Sequence, residues 1–201
     1  MNEKKETLLR LGPDVIQKLL PHRRPLLMVD RIESFIRSPV PSLRASRHIS
    51  ANEEVFAGHF PGLHLWPGIY TIEGMGQTAN VLEALMGLIG GFETAGRSSN
   101  ELLDGLLALE AGYTLKAARH DERLTALLEE LREPQDFMGM SILVNVKLLA
   151  PVFAGQRLDY WVRRTHTAGD LLRHEVEAEV DGHVVARGSM DSLMKVHAPI
   201  G

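Results

Sequence analysis

One histidine and one carboxylate lie on either side of a predicted helix start, and their spacing indicates acid–base chemistry. His59 lies in the segment GHFPG, nine residues before Gly68, and Glu73 lies fourteen residues after His59. Gly68 begins the predicted helix, so its backbone N–H has no helical partner and lies at the positive end of the helix. Such an amide can stabilise a carbonyl oxygen that becomes negative during a reaction.

Removal of water from a 3-hydroxyacyl thioester needs these three kinds of group. A base must take the weakly acidic α-proton, and His59 is the candidate. The amide of Gly68 would hold the developing enolate oxygen. The 3-hydroxyl is a poor leaving group and needs a proton, for which Glu73 is the candidate acid. The residues alone leave open whether Glu73 donates that proton itself or orients a water or hydroxyl.

The N-terminal part of the chain is predicted to form a short helix, two strands and then a long helix that is apolar on most sides. The predicted elements are residues 13–20, 26–36, 42–49 and 68–88. The Gly90–Gly91 pair is predicted to end the long helix. A helix with so few polar positions must be buried by the rest of the fold.

The C-terminal part is predicted to form an antiparallel meander of four strands. These strands cover residues 140–149, 157–165, 172–180 and 183–196. Asp181–Gly182 is a strong signal for a tight hairpin between the last two. Strands, one buried helix and further strands predict an α+β fold, with an antiparallel sheet wrapped around a long central helix.

Residues 91–135 fit neither part and are predicted to be a helical-hairpin insertion within one domain, residues 1–201. Helices are predicted over residues 101–111 and 123–132, the second with one amphipathic stripe of leucines. The simplest role of this insertion is packing against the sheet. A lid or a partner-docking element is the alternative, without support from particular residues.

The loop at residues 51–67 contains more large apolar groups than a surface loop needs, which predicts either a cover for the core or the wall of a pocket. We expect this loop and the start of the helix to supply the residues that bind substrate. Those residues are Phe60, Trp66, Pro67, Gly68, Ile69 and Gln77. Gln77 lies one turn beyond Glu73, where it can hydrogen-bond that carboxylate or line the pocket.

The composition excludes several classes of protein. The formal net charge of −4 argues against a general nucleic-acid-binding surface. The absence of cysteine excludes disulfides and thiolate chemistry, and no recognisable metal-binding motif such as HExxH occurs. No apolar run approaches the ~20 residues that cross a bilayer. We therefore expect no metal site and no membrane span, and a location in the cytoplasm.

Three segments resemble the FabZ-type 3-hydroxyacyl-[acyl-carrier-protein] dehydratases. LLPHRRPLLMVDRI is similar to the family's LPHRYPFLLVDRV pattern, NEEVFAGHFPG to its NEPFFxGHFPG loop, and WPGIYTIEGMGQTANVL to its MPGVLxxEAxAQ helix. The spacing between these motifs also agrees. The C-terminal strands resemble the family more weakly. His64, Trp66 and Tyr70 depart from the family pattern, and the insertion has no counterpart in the short family members.

The resemblance implies a hot-dog fold and a homodimer, a higher oligomer being open, with active sites at the subunit interface. His59 of one subunit would then face Glu73 of the other, with Gly68 as the thioester-binding amide. It also implies an acyl tunnel, no cofactor, and an acyl carrier protein that presents the substrate on phosphopantetheine and docks on basic residues near the tunnel mouth.

Other functions remain open at this point. Hot-dog acyl thioesterases also use a carboxylate on the helix and the helix N-terminus, although the histidine of GHFPG favours dehydration. A non-catalytic partner subunit, with the insertion blocking its own tunnel, is a further alternative. Isomerisation of the enoyl product ranks lower, because the related dehydratase–isomerases usually carry aspartate at the position of Glu73.

Overall fold

The structure, a computed structural model, describes residues 6–113 and 139–194. The helices in these residues are α1 (Pro13–Leu19), α2 (Gly68–Thr94) and α3 (Ser99–Tyr113), and a short 3₁₀ turn covers Glu54–Ala57. The strands are β1 (Glu6–Leu11), β2 (Arg31–Ile36), β3 (Ser42–His48), β4 (Gly139–Leu148), β5 (Arg157–Ala168), β6 (Leu171–Val180) and β7 (His183–Met194).

The strands form one antiparallel sheet in the order β1-β2-β3-β5-β6-β7-β4. The long helix α2 packs against β3, β5 and β6. Its side chains Met75, Leu82 and Leu85 are completely buried, as are Tyr160 and Val162 on β5. A sheet wrapped around one long helix is the hot-dog fold, so the predicted α+β architecture is confirmed.

The predicted end of α2 is wrong, because the helix continues through Gly90–Gly91 to Thr94. Ile89 and Phe92 on this last part are buried, and their packing outweighs the cost of roughly 1 kcal/mol that each helical glycine carries. The glycine that terminates the helix is instead Gly96, two residues after Thr94, whose φ is +73°. The amides of Gly96 and Arg97 donate to the carbonyls of Glu93 and Phe92, which completes a Schellman motif.

No helix in the described residues is long and apolar enough to cross a membrane.

The N-terminal strands differ from the prediction in two ways. Strand β1 was not predicted, yet it pairs with β2 and buries Leu9 and Leu11 completely. Strand β2 begins at Arg31 rather than at residue 26. In the segment before it, the backbone of Leu26 and Met28 bonds to a side chain of α2 instead of to a neighbouring strand.

The C-terminal strands are confirmed, but their spatial order differs from a simple meander. The strand β4 pairs with β7 at the edge of the sheet, whereas β5, β6 and β7 follow one another. Asp181 and Gly182 both have positive φ, +51° and +76°, as a type I′ hairpin turn requires. The last residues of the predicted strand 183–196 lie outside the described residues.

The helix predicted over residues 101–111 is present as α3, and the one predicted over 123–132 lies outside the described residues. Leu102 and Leu106 of α3 are completely buried in the main core. Glu110 accepts a hydrogen bond of 2.7 Å from the amide of Gly12, immediately before α1. The described part of the segment therefore packs against β1, α1 and α2. That residues 91–135 are an insertion stays a prediction.

A buried charged cluster joins α2 to the sheet. Glu83 of α2 accepts a hydrogen bond of 2.8 Å from Arg164 of β5, and its other oxygen lies 2.8 Å from Nε2 of His174 on β6. The side chains of Glu83 and His174 are only 4% and 1% exposed. A carboxylate at such depth is tolerated because both oxygens are paired.

Replacing this carboxylate should destabilise the protein strongly. The Glu83→Ala variant leaves Arg164 and His174 without their buried partner, so we expect the free energy of unfolding to fall by about 3 kcal/mol. Urea denaturation at one fixed protein concentration measures this change. The control is Glu93→Ala, which removes the exposed ion pair with Arg37 and should cost far less. Equal losses in the two variants would contradict the assigned role of Glu83.

Candidate active site

The N-terminus of α2 forms the floor of the candidate site. Gly68 is the first residue of this 27-residue helix, and Pro67 precedes it without any side-chain cap. The first turn carries no acidic residue, so nothing there neutralises the positive end of the helix. A Cβ atom at Gly68 would lie 2.3 Å from a methyl group of Leu148, so a larger residue there would require the Leu148 side chain to move.

His59 lies in the loop that leads to this helix, and its ring orientation is fixed. The ring stacks on Phe60 at 4.3 Å between centroids. Its Nδ1 lies 3.0 Å from the carbonyl oxygen of Leu65. A carbonyl oxygen can only accept, so Nδ1 must carry the proton. In the neutral ring Nε2 then has a free lone pair, which is the state that a general base needs.

His59 and Gly68 line one cavity of about 360 Å³. Trp66 and Thr71 contribute to the same wall. The opposite wall comes from the end of β4 and the segment after it, with one residue of β7. Its members are Leu148, Leu149, Ala150, Pro151, Val152 and Val185. The structure therefore places the predicted imidazole and the predicted amide at one largely apolar pocket. Of the two roles predicted for the loop at residues 51–67, this is the wall of a pocket.

The remaining predicted binding residues lie beside this cavity rather than in it. Phe60 is 49% exposed and supports the ring of His59. Ile69 is 68% exposed on the outer side of the first helical turn. Pro67 is buried as the N-cap of α2. None of these three lines the cavity within this chain, and their contact with substrate stays a prediction.

A buried arginine holds the loop in place. Arg47 of β3 donates to Asp30 and to Glu53, each at 2.5 Å. Its guanidinium also lies 5.9 Å from the centre of the Trp66 ring, which in turn contacts Phe56 edge-on. These contacts tie the loop before His59 and the approach to α2 to the same strand of the sheet. Arg47 therefore positions the loop before His59 and the approach to α2, which form one wall of the cavity.

Glu73 and Gln77 form a second polar group on α2. The Nε2 of Gln77 donates to Glu73 Oε1 at 2.9 Å and to the carbonyl of Leu26 at 2.6 Å. The Oε1 of Gln77 accepts from the amide of Met28 at 2.8 Å. Gln77 is only 1% exposed, and these bonds occupy its amide. The hydrogen bond that the sequence left open is present, and it fixes Glu73 relative to the segment before β2.

Glu73 is not among the residues that line the cavity of His59. Five residues separate it from Gly68, which is about 140° around a helix axis. Its side chain is 42% exposed on the outer side of α2. One chain therefore does not place this carboxylate in the pocket that holds its own His59.

Several contributors were missed by the sequence analysis. Thr71 lies three residues after Gly68, on the same helical face, so its position in the wall was available from helical spacing. Leu148 and Val152 reach the cavity only through the tertiary fold.

Behind α2, burial raises the pKa of the Tyr160 hydroxyl well above its ordinary value, so this phenol is a poor proton donor. The described residues contain no group of three or more His, Asp or Glu side chains arranged to hold a metal ion.

The fold and the cavity define a hot-dog protein whose histidine faces the start of the central helix, and comparison with known proteins gives the family. The model of the FabA-like domain matches residues 20–129. The "3-hydroxyacyl-[acyl-carrier-protein] dehydratase FabZ" of Aliarcobacter butzleri (strain RM4018) is 31% identical over 179 residues, covering 89% of this chain and 94% of the relative. The protein of the same name from Rhizobium rhizogenes (strain K84) is 29% identical, covering 89% and 85%.

The chain therefore belongs to the FabZ-type dehydratase family. This is the family that its sequence motifs resemble. A solved structure agrees with the fold. "The Dehydratase Heterocomplex ApeI:P from Xenorhabdus doucetiae" matches with a TM-score of 0.51 and 17% identity, covering 90% of each chain.

Proposed function

We propose that this protein removes water from a 3-hydroxyacyl thioester on acyl carrier protein and releases the trans-2-enoyl thioester. The observation that carries the proposal is that His59, held in the tautomer with a free Nε2, lines the same cavity as the bare amide end of α2. The printed names of the curated relatives support this substrate class.

The proposed reaction uses three groups in sequence. His59 Nε2 takes the α-proton, and the electrons of that C–H bond move toward the thioester carbonyl, whose oxygen is held by the Gly68 amide. The enolate electrons then return to form the Cα=Cβ double bond as the C–O bond to the 3-hydroxyl breaks, and the hydroxyl leaves as water with a proton from Glu73. The products are the enoyl thioester, water, imidazolium and carboxylate. A proton passes back from His59 to Glu73 before the next turnover.

We propose that a second copy of this chain completes the site, since Glu73 lies outside the cavity of its own chain. The edge strand β4 supports this. Its apolar side chains Ile142, Leu143 and Val144 are each close to half exposed, and successive residues point to opposite faces. A long apolar edge is a template for pairing with another strand. Pairing of two β4 strands would satisfy the backbone groups of both edges and bring these side chains beside those of the partner strand.

We propose that the substrate arrives on the phosphopantetheine of an acyl carrier protein, in fatty-acid or polyketide-type synthesis in the cytoplasm. The sequence has two arginine doublets, Arg23–Arg24 and Arg163–Arg164, and three of these four side chains have partners in the structure. Arg23 donates to three backbone carbonyls, Arg163 pairs with Glu175, and Arg164 pairs with Glu83. Arg24, next to Arg23 in the sequence, is exposed and is the proposed contact for the acidic carrier protein.

Loss of the imidazole should abolish dehydration. The His59→Ala variant lacks the base, so we expect kcat to fall by about 10²- to 10⁴-fold. The assay supplies 3-hydroxyacyl carrier proteins of several chain lengths and follows enoyl absorbance and free thiol separately. The control is His64→Ala, which changes a histidine of the same loop that packs on Phe56 and does not line the cavity.

The two readouts separate the candidate functions. Enoyl formation without thiol release supports the dehydratase. Thiol release without enoyl formation would establish a thioesterase instead. Wild-type protein that produces neither would contradict catalysis and favour the non-catalytic partner subunit.

A mixture of two inactive variants should recover activity if each site spans two chains. When His59→Ala and Glu73→Gln chains are combined in equal amounts, half of the dimers contain one of each. Each such dimer has one site with both native residues, so we expect about a quarter of wild-type activity. Joint expression with two different affinity tags provides the purified mixed dimer, for which we expect about half of wild-type activity.

The control for this experiment is the sum of the two variants kept unmixed, which should stay inactive. A tandem-purified mixed dimer that is no more active than that sum would show that the two residues do not meet across an interface.

A further inference from the structure

The carboxylate of Glu73 has one anchored oxygen and one free oxygen. Its Oε1 accepts the hydrogen bond from Gln77 and lies 3.5 Å from Nε2 of His22. Among the described residues, Oε2 has no hydrogen-bond or ion-pair partner. The two nitrogens therefore act on the same oxygen, and the second oxygen remains available to a bound substrate.

The backbone around His22 is fixed. The guanidinium of Arg23 donates to the carbonyl oxygens of Leu20 at 2.8 Å, of His22 at 2.8 Å and of Gln17 at 3.1 Å. Gln77 holds the following residues by its bonds to Leu26 and Met28. The segment that carries His22 is thus attached to α1 on one side and to α2 on the other.

The environment of the His22 ring selects one tautomer. Its Nδ1 is buried and has no hydrogen-bond partner among the described residues. A proton on Nδ1 would leave a buried donor unsatisfied beside the anchored carboxylate, whereas a proton on Nε2 faces Glu73 Oε1. The neutral ring therefore presents an N–H to the carboxylate. A small movement of either side chain turns the 3.5 Å contact into a hydrogen bond, as happens when a site closes on substrate.

We propose that His22 is a positioning residue that, together with Gln77, holds Oε1 of Glu73 so that Oε2 carries and delivers the proton to the leaving hydroxyl. An oxygen that accepts from two N–H groups is the carbonyl-type oxygen of a protonated carboxyl group, so the acidic proton lies on the other oxygen. This inference rests on the proposed dehydration. It gives a role to a histidine of the LLPHRRPLLMVDRI segment that the proposed reaction does not otherwise use.

A pair of amide variants tests the geometry. In His22→Gln the amide nitrogen reaches about as far as Nε2 of histidine, and in His22→Asn it reaches only as far as Nδ1. We expect His22→Gln to keep kcat within about threefold, and His22→Asn to lower kcat by tenfold or more with little change in KM. The control is His48→Asn, an exposed histidine whose side chain makes no hydrogen bond within the described residues.

Three outcomes would overturn the proposal. Equal kcat values for the Gln and Asn variants would show that the donor at the Nε2 position does not matter. A change in KM alone would place His22 in docking. A loss of kcat that tracks a loss of thermal stability across both variants would make the role structural, and circular dichroism melts of the same samples measure this.

A double variant separates failure of this inference from failure of the proposed function. If His22 acts through Glu73, adding His22→Asn to Glu73→Gln should cause no further loss of the residual activity. A further tenfold loss would contradict the inference while leaving the dehydratase assignment intact. Wild-type protein that forms no enoyl thioester would instead remove the proposed function on which the inference rests.

Discussion

The hydrogen bond from His59 Nδ1 to the carbonyl of Leu65 determines which nitrogen of the imidazole can act as a base. Without it the ring has two neutral tautomers, and one of them places the proton where the lone pair is needed. The acceptor is a backbone carbonyl in the same loop, so the orientation comes with the loop conformation. The bare amides at the start of α2 then have a base beside them, and the pocket can stabilise negative charge as it forms.

That loop conformation depends in turn on buried polar groups that a folding chain must satisfy. Arg47 is nearly buried, and its cost is offset by two carboxylates, Asp30 and Glu53, and by the face of Trp66. On the other side of α2, Gln77 connects Glu73 to the segment before β2. Both proposed catalytic groups are therefore held by side chains that join a loop to the central helix or to the strand next to it.

Local sequence signals predicted the features that depend on local chemistry. The positions of His59 and Gly68 followed from GHFPG and the helix start, and the hairpin at Asp181–Gly182 followed from its turn residues. Features set by tertiary contacts were missed. The glycine pair at 90–91 does not stop α2, because Ile89 and Phe92 are buried beyond the point where propensity alone would end the helix.

The same distinction explains the rest of the site. Strand β1 is short, and its burial of Leu9 and Leu11 comes from the whole fold rather than from a clear alternation. The wall formed by Leu148 and Val152 comes from residues more than seventy positions after the helix start, so no local pattern connects them to His59. Spacing gave the identity of the proposed acid, and the family resemblance implied a site shared by two subunits. The structure adds that Glu73 does not line the cavity of its own chain.

The most direct test of this account is the tautomer of His59 in the resting protein. Nitrogen-15 NMR of the labelled imidazole rings, with His59→Gln used to assign the signal, distinguishes a protonated ring nitrogen from a bare one. We expect a protonated Nδ1 and an unprotonated Nε2 in the neutral ring. A neutral ring with its proton on Nε2 would contradict it, because the lone pair would then face the Leu65 carbonyl and no base would face the cavity.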